Sequence, residues 1–348
     1  MRAVLLTGFG GPDQLEYRED VPEPTPAAGQ VRVRVGATAL NNTDIWTREG
    51  AYGSPDDPSA SAGWRREPMT FPRIQGADVV GRIDQVGPGV DEARLGERVM
   101  VDPMIYTGGE RELVTTEYLG SEWDGGFAEL VVVPAANAHA VQSSLSDAEL
   151  ATFPTAYTTA MRMLNRANVS AGETVIVTGA GGGVGSALVQ LATLRGARVV
   201  AVTTPAKRER VLKLGADAAV DRDAVNLAAE LRRVAGEADV VADVVAGPSF
   251  SALLRSLGPL GRYVVAGAIA GPLVETDLRT VYLQQLTLVG SSFGTHDDFA
   301  QLLQHINRGE LTAPLAETYP LHELTAAQAA FTAKDFVGKL VVTPEPAP

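Results

Sequence analysis

Apolar and polar positions alternate in short runs through the first part of the chain. VRVRVGATAL starts at Val31, DVVGRIDQVG at Asp78, ERVMVD at Glu97 and FAELVVV at Phe127, with Gly, Pro and Asp between them. A period of two with one buried face predicts an antiparallel β domain from Met1 to about Val141. Two stretches break the pattern. Residues 52–73 and 104–124 carry Trp64, Tyr106, Tyr118 and Trp123 among Gly, Pro and charged residues. Loops of that length are expected to wall a site or to move.

From Ser146 the texture changes. SDAELATFPTAYTTAMRMLNRA reads as helical, and a rhythm of apolar strands and amphipathic helices follows. The strands are TVIVTGA, ARVVAVTT, AAVDR, ADVVADVVAG, GRYVVAGA and LTLVGSSF. SALVQLATLRG, AKRERVLKLG, LAAELRRVAG and FSALLRSLG are the helices, three of them closed by a Gly where a left-handed cap is favoured. Six strands alternating with helices predict an α/β fold with a doubly wound parallel sheet, the Rossmann arrangement, over residues 151–295. After Thr295, DDFAQLLQHINRG and TAAQAAFTAKD are helical and GKLVVTP is a strand. This tail is too small for a domain of its own. Residues 296–348 are therefore expected to fold back onto residues 1–150.

Within that rhythm, TVIVTGAGGGVGSALVQLA is a buried strand, a glycine-rich turn and a helix. Small residues at Ala180, Gly182 and Gly185 let the backbone turn sharply and let amide groups, those of Gly183 and Val184 included, approach a pyrophosphate at the positive end of the helix. NAD-binding chains place an acid at the end of the next strand to hold the ribose 2′-hydroxyl. Here that strand ends in Thr203 and Thr204, with Lys207 a turn further on and Arg222 after the following strand. A missing acid and nearby bases point to NADPH, although both cations could equally be ordinary surface residues. Ala246, Ala266, Gly267, Phe293 and Gly294 lie just past sheet strands, where open α/β sheets bind ligands.

Charge narrows the partners. Forty-two acidic against 29 basic residues give −13, which disfavours nucleic acid and anionic membrane. No apolar run reaches the ~18 residues of a membrane span, and the N-terminus lacks a signal-peptide pattern, so a cytoplasmic protein is expected. The final PEPAP reads as a frayed tail. The chain has no cysteine, which removes disulfides, a thiol nucleophile and thiolate-ligated zinc. His139, His296, His305 and His322 show no metal-ligand spacing, and no serine stands in a G-x-S-x-G elbow.

ALNNTDIWTREGAYG, FPRIQGADVVGRIDQVG, DGGFAEL, FPTAYTTA, AGGGVG, DVVADVVAG and FVGKLVV, in that order, make the chain resemble the medium-chain dehydrogenase/reductases, and among them the zinc-free quinone oxidoreductase branch. The resemblance implies that the first domain is a GroES-like antiparallel β-barrel catalytic domain. Zinc-dependent members place Cys, Gly-His-Glu and Cys around the metal; the matching positions here are Asn41, Gly76-Ala77-Asp78 and the neighbourhood of Pro154. One carboxylate cannot hold zinc alone, so no metal is expected. Without a Lewis acid, charge developing on oxygen must be met by hydrogen-bond donors, and a conjugated acceptor eases the demand. The resemblance places Asn41, Thr43 and Tyr52 beside the nicotinamide as such donors. Asn41 could instead cap a turn and Tyr52 could be a packing residue. It also places Tyr157 and Thr158 at the domain junction near the cofactor, where Thr is equally a good helix start.

The expected activity is transfer of hydride from NADPH to a small-molecule substrate, a quinone or an enone. An enoyl-thioester reductase, with Arg65, Arg66 and Arg73 available for the carrier, and a cofactor-binding protein with little turnover are the alternatives. LTLVG would be an exposed sheet edge in a monomer, which makes a homodimer the expected assembly.

Overall fold

The structure, a computed structural model, describes residues 1–52 and 68–344. Trp64, Arg65, Arg66 and the PEPAP tail beyond Pro344 lie outside the described residues. The chain divides into two compact units, Met1–Thr155 with Phe299–Pro348, and Ala156–Asp298.

The first unit is built on a seven-stranded, mostly antiparallel sheet in which Gln30–Ala39 is the hub. It pairs with Asp78–Val86 along its length, with Leu130–Pro134 at its start, and with Lys339–Thr343 at its end. The C-terminal strand thus joins the N-terminal domain as the size argument requires. Its parallel neighbour Leu315–Pro320 has no alternation in LAETYP and no fully buried residue, so the pattern leaves it unmarked. Val31, Val33, Val35, Val79, Ile83, Val99 and Val131 form the core on one face. A hairpin of Ala3–Leu6 and Leu15–Arg18 packs its apolar residues with Leu40, Phe127, Leu324 and Phe331 in a second core. The stretch 104–124 is more regular than its composition suggests: Met104–Ile105 and Glu117–Tyr118 pair as a two-stranded ladder around the short helix Glu110–Leu113.

The second unit holds a six-stranded all-parallel sheet. In chain order its strands are Thr174–Val177, Arg198–Thr203, Ala218–Asp221, Ala238–Asp243, Leu257–Val265 and Thr287–Gly290, and they lie in the order third, second, first, fourth, fifth, sixth. The order reverses beside the first strand, which is where open α/β sheets form their crevice. Gly196, Gly215 and Gly236 close three helices with positive φ, as the cap positions demand. The expected helix from Ser146 is split into Asp147–Leu150 and Pro154–Arg166. Pro154 has no N–H to continue the first helix and instead starts the second. Thr287–Gly290 is an outer strand that pairs on one side only among the described residues, and Leu288 on it is exposed, as are Leu278, Tyr282 and Leu283. Among the described residues no helix is long and apolar enough to cross a membrane.

Candidate active site

In the first unit, three strand and helix ends converge. Asn41 opens the helix Asn42–Arg48, Asp78 opens the strand Asp78–Val86, and Lys339 opens the last strand. Lys339 Nζ donates to Asp78 Oδ2 at 2.8 Å and to Asn41 Oδ1 at 2.5 Å. Asn41 Nδ2 donates to Asp78 Oδ2 at 2.9 Å and, at a longer 3.4 Å, to the Ala39 carbonyl. The other oxygen of Asp78 accepts the Thr155 amide at 2.8 Å, and the Thr155 hydroxyl meets the Tyr118 hydroxyl at 2.9 Å. Asp78 is fully buried and Lys339 is 2 % exposed. Such a pair is tolerable only because every charged oxygen has donors.

This arrangement changes the expected role of Asn41. Its carbonyl is taken by an ammonium and its amide by a carboxylate, so it braces the cluster and is not brought out as a donor toward a substrate. Thr43 sits half-buried in the first turn of the helix. Tyr52 is half-buried against Trp46, the rings 5.8 Å apart. Tyr118 was legible only as an aromatic in an irregular loop. Burial, followed by the charge of Asp78, pushes its phenol well above the usual tyrosine range.

Asp44 reaches back to the Asn41 amide at 2.7 Å, a reciprocal helix cap made inside the protein. Burial, reinforced by the Asp78 charge, raises its carboxyl to about 7, against the opposing pull of the Asn41 and Gly76 amides and Lys339. A carboxyl raised in the folded state binds more protons there than in the unfolded chain. Its stabilising contribution is thus full below about pH 4 and is lost as pH rises to about 7. We expect Asp44→Asn to flatten that part of the curve: the wild-type-minus-variant difference in urea midpoint should fall between about pH 4 and 7. A difference constant over that interval would show that Asp44 does not titrate there.

In the second unit, a cavity of about 600 Å³ opens at the carboxyl ends of the strands. Of the expected cofactor residues, Gly182, Thr203, Thr204, Lys207, Arg222 and Ala246 line it. Gly183, Val184 and Gly185 form the first turn of the helix Gly183–Leu194, where amides have no intrahelical acceptor. Ala180 is buried in the turn behind them. Ala266 and Gly267 pack against Asp243 and Val244, and Gly294 against Thr158, at the ends of the neighbouring strands and outside the cavity lining; Phe293 precedes Gly294 there. Tyr157 is not brought to the cavity. It is fully buried, turned toward the helix Gly183–Leu194, and its hydroxyl accepts from Gln190 of that helix at 2.6 Å. Thr158, one residue on, is 3 % exposed and its hydroxyl has no partner among the described residues; Ser291 Oγ is in the same state. Buried hydroxyls rarely go unsatisfied in a complete site, so both fit a site that a polar ligand completes.

Two residues of this unit stand outside the expected cofactor set. Asp243, fully buried, accepts hydrogen bonds from the Thr178 and Tyr263 hydroxyls and from the Val245 and Ala246 amides, the latter pair at 2.8 and 3.1 Å. It ties together the ends of three strands and holds Ala246 at φ 55°, a state side chains rarely adopt. Asp223 also lines the cavity, 3.4 Å from Arg222. The end of the second strand lacks an acid, as its sequence states, but the loop after the third supplies one.

Residues 27–143 match the family described as Alcohol dehydrogenase GroES-like domain, and residues 183–308 the family described as Zinc-binding dehydrogenase. The chain is 30% identical over 355 residues to the acryloyl-coenzyme A reductase of Metallosphaera sedula, which spans 99% of this chain and 100% of that protein. It is 30% identical over 341 residues to the quinone oxidoreductase of Mus musculus, with 94% and 92% covered. A crystal structure from Sinorhizobium meliloti 1021, described provisionally as an alcohol dehydrogenase, is 54% identical and superposes with a TM-score of 0.95 over 99% of this chain and 97% of that one. The chain belongs to the medium-chain dehydrogenase/reductase superfamily. It is an oxidoreductase with a GroES-like domain and a Rossmann nucleotide-binding sheet.

Proposed function

We propose that the protein is a zinc-independent, NADPH-dependent reductase of small conjugated carbonyl compounds, quinones or enones. The observation that carries this reading is the Asn41–Asp78–Lys339 cluster. Zinc needs three or four N, S or O ligands. Here the only carboxylate of the motif is neutralised by an internal ammonium that also occupies Asn41 Oδ1. A fixed cation in that place opposes a second one.

NADPH, when bound, supplies the hydride. The glycine turn, the first amides of the helix Gly183–Leu194 and Lys207, whose stem runs over that turn, hold its pyrophosphate, and Arg222 meets the 2′-phosphate. Thr158 and Ser291 offer the hydroxyls that lack partners. Thr43 and Tyr52 are the donors for the substrate oxygen. As the acceptor takes up hydride at the far end of its conjugated system, charge gathers on oxygen, and Tyr52 is the residue we assign to stabilise it and give the proton.

The similarity to an acryloyl-coenzyme A reductase supports a second reading within the same chemistry, an enoyl thioester as the conjugated acceptor. Of the arginines considered for its carrier, Arg73 is held by Asp124 and Thr70, each at 3.0 Å.

The test is oxidation of NADPH and NADH by chelator-treated protein with 1,4-naphthoquinone, methyl vinyl ketone and acryloyl-coenzyme A. We expect turnover with NADPH that the chelator leaves unchanged, and the three acceptors rank the substrate classes. Activity that zinc restores would overturn the metal-free reading, a preference for NADH the cofactor, and tight NADPH binding without turnover the enzymatic role.

A further inference from the structure

Three cations line the nucleotide cavity, Lys207, Arg222 and Arg255, against one carboxylate, Asp223. In a chain of net charge −13 this is a local reversal of sign. The three are not equivalent. A Cβ placed on Gly181 would lie 2.8 Å from Lys207 Cδ, so the Lys207 stem runs over the glycine turn, where a pyrophosphate is held. Arg222 is exposed and shares its charge with Asp223. Arg255 closes the helix Phe250–Leu254, and its carbonyl accepts from Arg232 at 2.8 Å. Among the described residues its guanidinium has neither a hydrogen-bond nor an ion-pair partner, although it lies on the cavity wall beside Asn226, Leu227 and Leu253. Side chains of a helix lean toward its N-terminus, here the end nearer the cavity.

We infer that Arg255 is a specificity residue for the cofactor, holding the 2′-phosphate of the adenosine together with Arg222, while Lys207 serves the pyrophosphate. The inference rests on the NADPH reading above. A dianionic phosphate is best met by more than one cation, and a guanidinium with free N–H groups forms charge-assisted bonds to it without first breaking others. Arg222 alone arrives with its charge partly offset by Asp223. The helix that carries Arg255 lies after the fourth strand, about 50 residues beyond the position that the dinucleotide motif inspects for an acid or a base.

The experiment is calorimetric titration of the wild type, Arg255→Ala and Arg255→Lys with NADPH, NADH and 2′,5′-ADP, with the ligand-free melting temperature as the folding control. Arg255 is exposed and its backbone carbonyl stays in place, so the melting temperature should not move. For Arg255→Ala we expect about a tenfold loss of affinity for NADPH and 2′,5′-ADP, the size of one charge-assisted bond. NADH affinity should stay within about twofold on the same scale. Arg255→Lys should recover part of the loss, and the difference from wild type should shrink as salt is added. Equal losses for NADPH and NADH would mean that Arg255 only stacks on adenine, and no loss for either would remove it from the site; both overturn the inference and leave the NADPH reading standing. A wild type that binds NADH as tightly as NADPH would overturn both.

Discussion

Replacing Lys339 with Met should destabilise the first unit by about 3–5 kcal/mol, the cost of leaving one member of a buried ion pair without its partner. The side chains are similar in length, so packing is largely kept and the loss is electrostatic. Asp78 would remain in the interior with one oxygen facing only the Asn41 amide, and Asn41 Oδ1 would lose its donor. The double variant separates pairing from packing. Lys339→Met with Asp78→Asn removes both charges, and buried pairs replaced by neutral groups are often close to neutral in stability. The double variant should therefore be more stable than Lys339→Met alone, measured by urea midpoint. If the two losses add, the cluster is not held by the pairing described here. The same variants bear on metal exclusion, because Lys339→Met removes the cation that opposes a metal at Asp78. A gain in zinc affinity by calorimetry is expected for it and not for the double variant.

That cluster marks where sequence reading reached its limit. The glycine turn and the six parallel strands were legible, because each follows from a period or a turn chemistry confined to a dozen neighbouring residues, and the return of the C-terminal strand followed from a tail too short to fold alone. The position of Asn41 and the replacement Gly76-Ala77-Asp78 were legible too, through resemblance. Lys339 was not, since nothing local in GKLVV says that its lysine turns inward to residues 41 and 78. A lysine beside the three apolar positions of a closing strand was the available signal. It gains meaning only from the pairing of Val341 with Ala39, which brings Lys339 level with the start of the helix at Asn42. The same limit explains Tyr157. PTAYTTA identifies a helix start, but which side of the helix faces the interior depends on Gln190, a partner 33 residues away. Asp223 was passed over for a related reason: the motif inspects the end of the second strand, while the cavity is also lined by the loop after the third.

The second large effect belongs to Gly185. A Cβ there would stand 2.1 Å from the Gly179 carbonyl oxygen, 2.5 Å from its carbon and 2.7 Å from Ala180 Cα. All three are backbone atoms of the turn itself, so no side-chain rotation relieves the clash. Gly185→Ala must push the helix Gly183–Leu194 away from the strand Thr174–Val177, and the amides of the first turn move with it. Misplacing a positioned group by about 1 Å can cost about a hundredfold, and we expect a loss of dinucleotide affinity of that order. Overpacking should add about 1–3 kcal/mol of lost stability. Gly182 supplies the contrast within the same turn. It has an ordinary φ of −91°, and a Cβ on it would lie 3.3 Å from the same Gly179 oxygen, a contact that a shift of a few tenths of an ångström accommodates. Gly182→Ala should accordingly cost only several-fold in affinity, on the scale where 1.4 kcal/mol is tenfold. Equal losses in the two variants would mean that glycine is needed for the ligand's approach at both positions and not, at Gly185, for the approach of helix to strand.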